Sequence, residues 1–203
     1  MLSTYFYCCF STNATMLKRS LSNALIVCVM LVSLALTACS GVGIANLQRY
    51  SDTKDGYEFL YPNGWIGVDV KGASPGVDVV FRDLIERDEN LSVIISDVPS
   101  NKTLTDLGTP TDVGYRFMTT VNDNAQGERR AELLSAEERD EDGQVYYELE
   151  YRVLLGDNVE RHDLASVTTN RGKLITFDLS TSEGRWHQVE ALFNTVSNSF
   201  HVY

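Results

Sequence analysis

From Tyr146 to Val153 the chain alternates with a period of two. Tyr147, Leu149, Tyr151 and Val153 fall on one side, and Glu148, Glu150 and Arg152 on the other. A helix would scatter these residues around its whole circumference, so the segment is a strand with one apolar face. Two β-rich runs follow, Glu160 to Thr169 and Lys173 to Ser180, separated only by Asn170-Arg171-Gly172. A spacer that short joins neighbours as a hairpin and excludes a crossover to a parallel strand. With the turn centred near Arg171, His162 falls opposite about Thr181, with Glu183 just beyond. Antiparallel sheet is therefore the organising structure of the C-terminal half.

The same signals recur upstream. Tyr57 to Tyr61 stops at Pro62-Asn63-Gly64, and a strand resumes over Trp65 to Val70. Val77 to Phe81 and Leu91 to Ser96 read as a hairpin, and Ala131 to Glu138 as a further strand. Two segments read as helices. One opens at Thr109-Pro110-Thr111-Asp112, with Thr as N-cap and Pro at the first helical position; Val113, Phe117, Met118 and Val121 then recur at helical spacing. The other carries Trp186, Val189, Leu192, Phe193 and Val196 on one stripe. Strands, a helix, more strands and a last helix predict an α+β fold with helices covering a sheet.

The first 38 residues are of another kind. Met16-Leu17-Lys18-Arg19 precedes an apolar run from Ala24 to Leu36, which ends at Leu36-Thr37-Ala38-Cys39. A basic start, a short apolar core and a small-residue exit describe a secretory signal peptide over 1–38, and the run is short for a bilayer span. Leu-Thr-Ala-Cys matches a bacterial lipobox, so Cys39 is the expected lipidation site and the new N-terminus. Met16 fits the start of the signal better than Met1, which makes 1–15 a mis-assigned extension. Residues 39–49 are small and polar and read as a flexible tether of at most about 33 Å, followed by a domain over 50–203.

Of the four cysteines, processing would remove Cys8, Cys9 and Cys28. Cys39 carries the lipid, so no intramolecular disulfide, cysteine nucleophile or cysteine-ligated zinc is available. The formal net charge of -11 excludes a nucleic-acid binder and charge-driven adhesion to anionic lipid. There are three histidines, His162, His187 and His201, and no HExxH, nucleophile elbow or phosphate loop. The one constellation of interest is His162 with Glu183 at one end of the hairpin, and with Asp163 and His187 nearby. Imidazole with carboxylate suits zinc, and carboxylate with water suits calcium or manganese. The plainer alternative is a histidine paired with an acid. The acidic groups Asp83, Glu86, Asp88 and Glu89, and Glu137 to Asp142, read as solvated loops. Trp65, Tyr61 and Trp186 read as core, and Arg185 either as a partner for an acid or as a residue of the helix surface.

Asp55-Gly56-Tyr57-Glu58-Phe59-Leu60-Tyr61-Pro62-Asn63-Gly64-Trp65 resembles the opening signature of the PsbP family, extrinsic proteins of photosystem II on the lumenal side of the thylakoid. The resemblance continues at Arg161-His162, Gly172-Lys173-Leu174, Gly184-Arg185-Trp186 and Ser197-Asn198-Ser199-Phe200. The lipobox points to the cyanobacterial lipoprotein branch. The resemblance implies an α-β-α sandwich of the PsbP/Mog1-like kind, with a central antiparallel sheet flanked by helices. It also implies a non-enzymatic protein anchored on the lumenal face of the thylakoid membrane, where it binds photosystem II reaction-centre subunits and assembly intermediates and assists assembly or stability. Plant members help retain calcium and chloride at the oxygen-evolving cluster. The lipidated N-terminus departs from the plant pattern, so an assembly role is expected in place of ion retention. PsbP-like proteins hold metal at histidine and acidic positions, and His162 matches the family's Arg-His pair. The alternative functions are a metal- or small-ligand-binding envelope lipoprotein, which needs a pocket near His162, and a hydrolase, which needs a buried reactive cluster.

Overall fold

A computed structural model describes residues 46–70, 75–99, 102–123 and 129–203. The signal segment, the lipobox and residues 39–45 of the predicted tether lie outside the described residues. Among the described residues ten strands and two α-helices follow in order: β1 (Leu47–Asp52), β2 (Tyr57–Pro62), β3 (Trp65–Val68), β4 (Val77–Asp83), β5 (Asn90–Asp97), α1 (Pro110–Asp123), β6 (Arg130–Glu141), β7 (Gln144–Leu154), β8 (Glu160–Asn170), β9 (Lys173–Ser182), α2 (Trp186–Asn198) and β10 (His201–Val202). Among the described residues no helix is long and apolar enough to cross a membrane.

Seven strands form one antiparallel sheet in the order β3-β4-β5-β9-β8-β7-β6. The β8–β9 hairpin turns through Arg171 and Gly172, both at positive φ (51° and 75°), which is the primed geometry that matches strand twist. Its register places His162 opposite Thr181, as the spacing predicts. Helix α1 begins where expected: the Thr109 hydroxyl accepts from the Asp112 amide (3.2 Å), and the Asp112 carboxylate accepts from the Thr109 amide (3.0 Å) and hydroxyl (2.7 Å). This reciprocal cap satisfies donors that the first turn leaves open.

The two helices cover opposite faces, giving the α-β-α arrangement. Under α1, Val113 and Met118 pack with Leu104, Ala131, Val167 and the apolar face of β7. Under α2, Val189, Phe193 and Val196 pack with Leu91, Val93, Ile175, Phe177 and Leu179. A second, three-stranded sheet, β1-β2-β10, shares this layer. It contributes Tyr57 and Phe59, and Phe59 meets Phe177 at 4.8 Å between ring centroids.

Three sequence expectations need correction. The acidic run Glu137, Glu138, Asp140 and Glu141 is not a loop but the end of β6, paired with Glu148, Tyr147, Val145 and Gln144, and only Asp142 lies in the turn. The tether does not run to residue 49: Leu47, Gln48 and Arg49 pair with Pro62, Tyr61 and Leu60. β1 is an edge strand with an exposed side: Gln48 and Arg49 are exposed, while Leu47 and Tyr50 pack on the core, Tyr50 stacked on Phe59. The 83–89 loop is not simply solvated either, since Glu89 is buried and accepts from Arg185 Nε at 2.7 Å.

Candidate functional site

Strand alternation sends His162 and Asp163 to opposite faces of the sheet. His162 points under the start of α2, where it is 3 % exposed. Its ring lies flat on Trp186, with centroids 3.8 Å apart and planes 9° apart. Both ring nitrogens face carboxylates: Nδ1 is 2.9 Å from Glu183 and Nε2 is 2.8 Å from Glu150. Arg152 Nε stands 3.5 Å from the same Glu183 oxygen. The cluster ties β7, β8, the turn after β9 and the first residue of α2 together.

Glu183 sits where the hairpin register predicts. Glu150 was not anticipated: it lies diagonally across the β7–β8 ladder, in which Arg152 is the residue opposite His162. The two-residue turn of β8–β9 makes that register readable in advance, whereas the longer β7–β8 connection leaves its register open. Two of the proposed ligands are not brought in. His187 is exposed on α2 and is neither hydrogen-bonded nor ion-paired to His162. Asp163 faces the α1 layer.

A metal at His162 would displace one of the two hydrogen bonds. It would then meet one imidazole nitrogen and one carboxylate, because Glu150 and Glu183 flank opposite sides of the ring. That donor set falls short of the three or four protein ligands of a zinc site, and the structure does not fit a resident ion there. The described residues do bring together one group of three carboxylates, Asp52, Asp55 and Asp78, within 4.8 Å. These are engaged by their own surroundings. Asp52 accepts from the amides of Lys54 (2.8 Å) and Asp55 (2.9 Å), and Asp78 accepts from the Tyr57 hydroxyl. Desolvation and the bond to Asp78 push the Tyr57 phenol far above its ordinary range. Asp78 arrives from β4, so the grouping has no local sequence signal.

On the opposite face Asp163 and Asp178 form a second acidic pair. Desolvation raises the Asp163 carboxyl to about 6, against a lowering from its hydrogen bond to Ser180 and from Arg161. The Asp178 carboxyl is raised well above the usual range by desolvation and by Asp163, although it accepts from the Tyr151 hydroxyl at 2.7 Å. One Asp163 oxygen is buried without a hydrogen-bond partner. A groove of about 600 Å³ lies between α1 and the β6–β7 edge, bordered by Tyr115, Asn122, Arg130 and Arg152.

Comparison with known proteins agrees with the fold and the motifs. The sequence model of the PsbP family matches residues 45–202. The chain is 81% identical over 188 residues to CyanoP of Synechocystis sp., covering 93% of this chain and 100% of that one. It is 42% identical over 192 residues to CyanoP of Thermosynechococcus vestitus, with the same coverage of 93% and 100%. A chloroplastic PsbP-like protein 1 of Arabidopsis thaliana is 35% identical over 153 residues, 75% of this chain and 63% of that one. The solution structure of the Synechocystis CyanoP superposes with a TM-score of 0.70 at 84% identity, covering 82% of this chain and 98% of that one. The Ran-binding protein Mog1p of Saccharomyces cerevisiae superposes with a TM-score of 0.54 at 10% identity, over 77% of this chain and 95% of that one, a likeness of fold alone.

Proposed function

This chain belongs to the PsbP family, and from that premise we propose that it is a non-enzymatic accessory protein of photosystem II. In this reading the lipidated Cys39 holds it at the lumenal face of the thylakoid membrane, and the domain docks on reaction-centre subunits to assist assembly or stability of the complex. The observation that carries the reading is the match to the family across the whole folded domain, together with the lipobox Leu36-Thr37-Ala38-Cys39. The interior supports it. The buried His162 is turned inward on two carboxylates, as expected of a scaffold that presents a surface. The alternative of a divalent-ion binder at His162 finds less support in a ring whose two nitrogens already face carboxylates.

The test is affinity purification of the mature, lipidated protein from membranes under mild detergent, followed by mass spectrometry. Recovery of photosystem II reaction-centre subunits is expected, in clear excess over a Cys39→Ala control that keeps the domain and loses the anchor. Absence of every such subunit from the lipidated sample would overturn the proposal.

A further inference from the structure

The β4–β5 loop holds its most apolar residues outward. Ile85 is 86% exposed and Leu84 56%, and the loop that carries them is braced. Asp83 Oδ1 accepts from the amides of Ile85 (2.6 Å) and Glu86 (2.8 Å), and the Asp83 amide donates to the Glu89 carbonyl (3.0 Å). Arg185 reaches Glu89 (2.7 Å) and Glu86 (3.4 Å), and Arg161 donates to the Asp88 carbonyl at 2.5 Å. Fixed on both flanks, the tip cannot fold back to hide two aliphatic side chains. The β7–β8 connection, which leads into Arg161, adds Val159, 50% exposed. Isolated surface aliphatics are commonplace, but an adjacent pair on a braced tip needs an account.

The second observation is where the chain enters the domain. The Asn46 carbonyl accepts from the Asn63 amide at 2.9 Å. Asn63 and Gly64 lead directly into Trp65, and Trp65 pairs with Asp83, the residue that opens the loop. The root of the N-terminal segment and the aliphatic tip thus stand at the same end of the sheet. The seven chain steps from Cys39 to Asn46 span at most about 25 Å.

We infer that Leu84 and Ile85 form a membrane contact, which seats this end of the domain on the surface of an uncharged or zwitterionic bilayer. The inference rests on the reading of Cys39 as lipidated. The short link confines the tip to the neighbourhood of the headgroups, so that two side chains too few to recruit a free protein suffice to orient a tethered one. Beside the tip Glu86 is paired with Arg185 and the exposed Asp88 adjoins the exposed Arg87, which leaves no excess of cations to draw the loop to anionic lipid, so the contact is apolar. Seated this way, the domain turns the opposite end of the sheet, with the β6–β7 turn at Asp142 and Gly143, away from the membrane.

The test uses the mature lipidated protein in protein-free vesicles of zwitterionic lipid. Ile85→Cys and, as a control, Asp142→Cys are each labelled with the environment-sensitive fluorophore NBD, since Cys39 is consumed by lipid. A severalfold rise in emission at position 85, quenched by lipids brominated near the headgroup, with no change at position 142, is the expected result. Protein that floats with the vesicles while the label at 85 stays in water overturns the inference and leaves the anchor standing. Protein that fails to float overturns the Cys39 reading and the inference with it.

Discussion

At the scale of single residues, one buried carboxyl makes stability depend on pH. Asp163 is 5 % exposed and titrates near 6 in the folded chain, against an ordinary value near 4 when unfolded. Folding therefore favours its protonated form. The sign follows: this contribution is present in full below about pH 4 and is lost as pH rises through about 6. Asp163→Asn keeps the shape and removes the charge. Relative to the unchanged protein, it should gain on the order of 1–2 kcal/mol at pH 7 and nothing near pH 4, read as the difference between urea denaturation midpoints at the two pH values. Taking the difference between variant and parent cancels the carboxylates that titrate in the opposite sense, such as Asp112 in its cap. His162 is a buried ring supported on three sides by Glu150, Glu183 and Trp186. That enclosure explains why a histidine and an acid that a spacing argument brings together need not be a metal site.

At the scale of elements, the β8–β9 hairpin is the most constrained part of the sheet. Gly172 sits at φ 75° and a Cβ there would meet nothing within 4 Å, so its replacement tests backbone strain alone. Gly172→Ala should cost about 1 kcal/mol, measured as a lowered denaturation midpoint with an unchanged slope. Gly114 is the opposite case. It lies on α1 in a helical conformation, but a Cβ would come within 2.8 Å of Leu133, so its lack of a side chain lets α1 approach β6. Elements whose partners are local in sequence are legible in advance. Alternation marks β7, the Asn170-Arg171-Gly172 spacer sets the β8–β9 register, and Thr109-Pro110 sets the start of α1. The diagonal pairing of Glu150 with His162 is not legible, because a longer connection transmits no register. Nor is the fate of the polar side of β7. Glu148 reads as solvent-facing, yet it accepts from Ser166 (2.8 Å), Ser197 (2.9 Å) and Arg139 (3.0 Å) beneath α2.

At the scale of the whole molecule, the chain ends decide how the second layer closes. β1 and β10 flank β2, so the first and last strands of the domain meet on either side of Tyr57 and Phe59. A chain beginning at Asn46 should fold with a single cooperative thermal transition. One beginning at Asp55 should melt several degrees lower or lose cooperativity, because β2 loses the longer of its two partner strands and Phe59 and Phe81 lose Tyr50; circular dichroism melting of the two distinguishes these outcomes. Strand periodicity, turn residues, caps and the lipobox are properties of neighbours along the chain, and the sequence by itself determined the antiparallel class, the helix positions and the Glu183–His162 meeting. Pairings between distant segments depend on which faces are left to bury once the local elements exist. Only the tertiary structure decided that β1 joins the sheet, that Asp78 meets Asp52 and Asp55, that Glu89 is buried beneath Arg185, and that Ile85 is held out at the end where the chain enters.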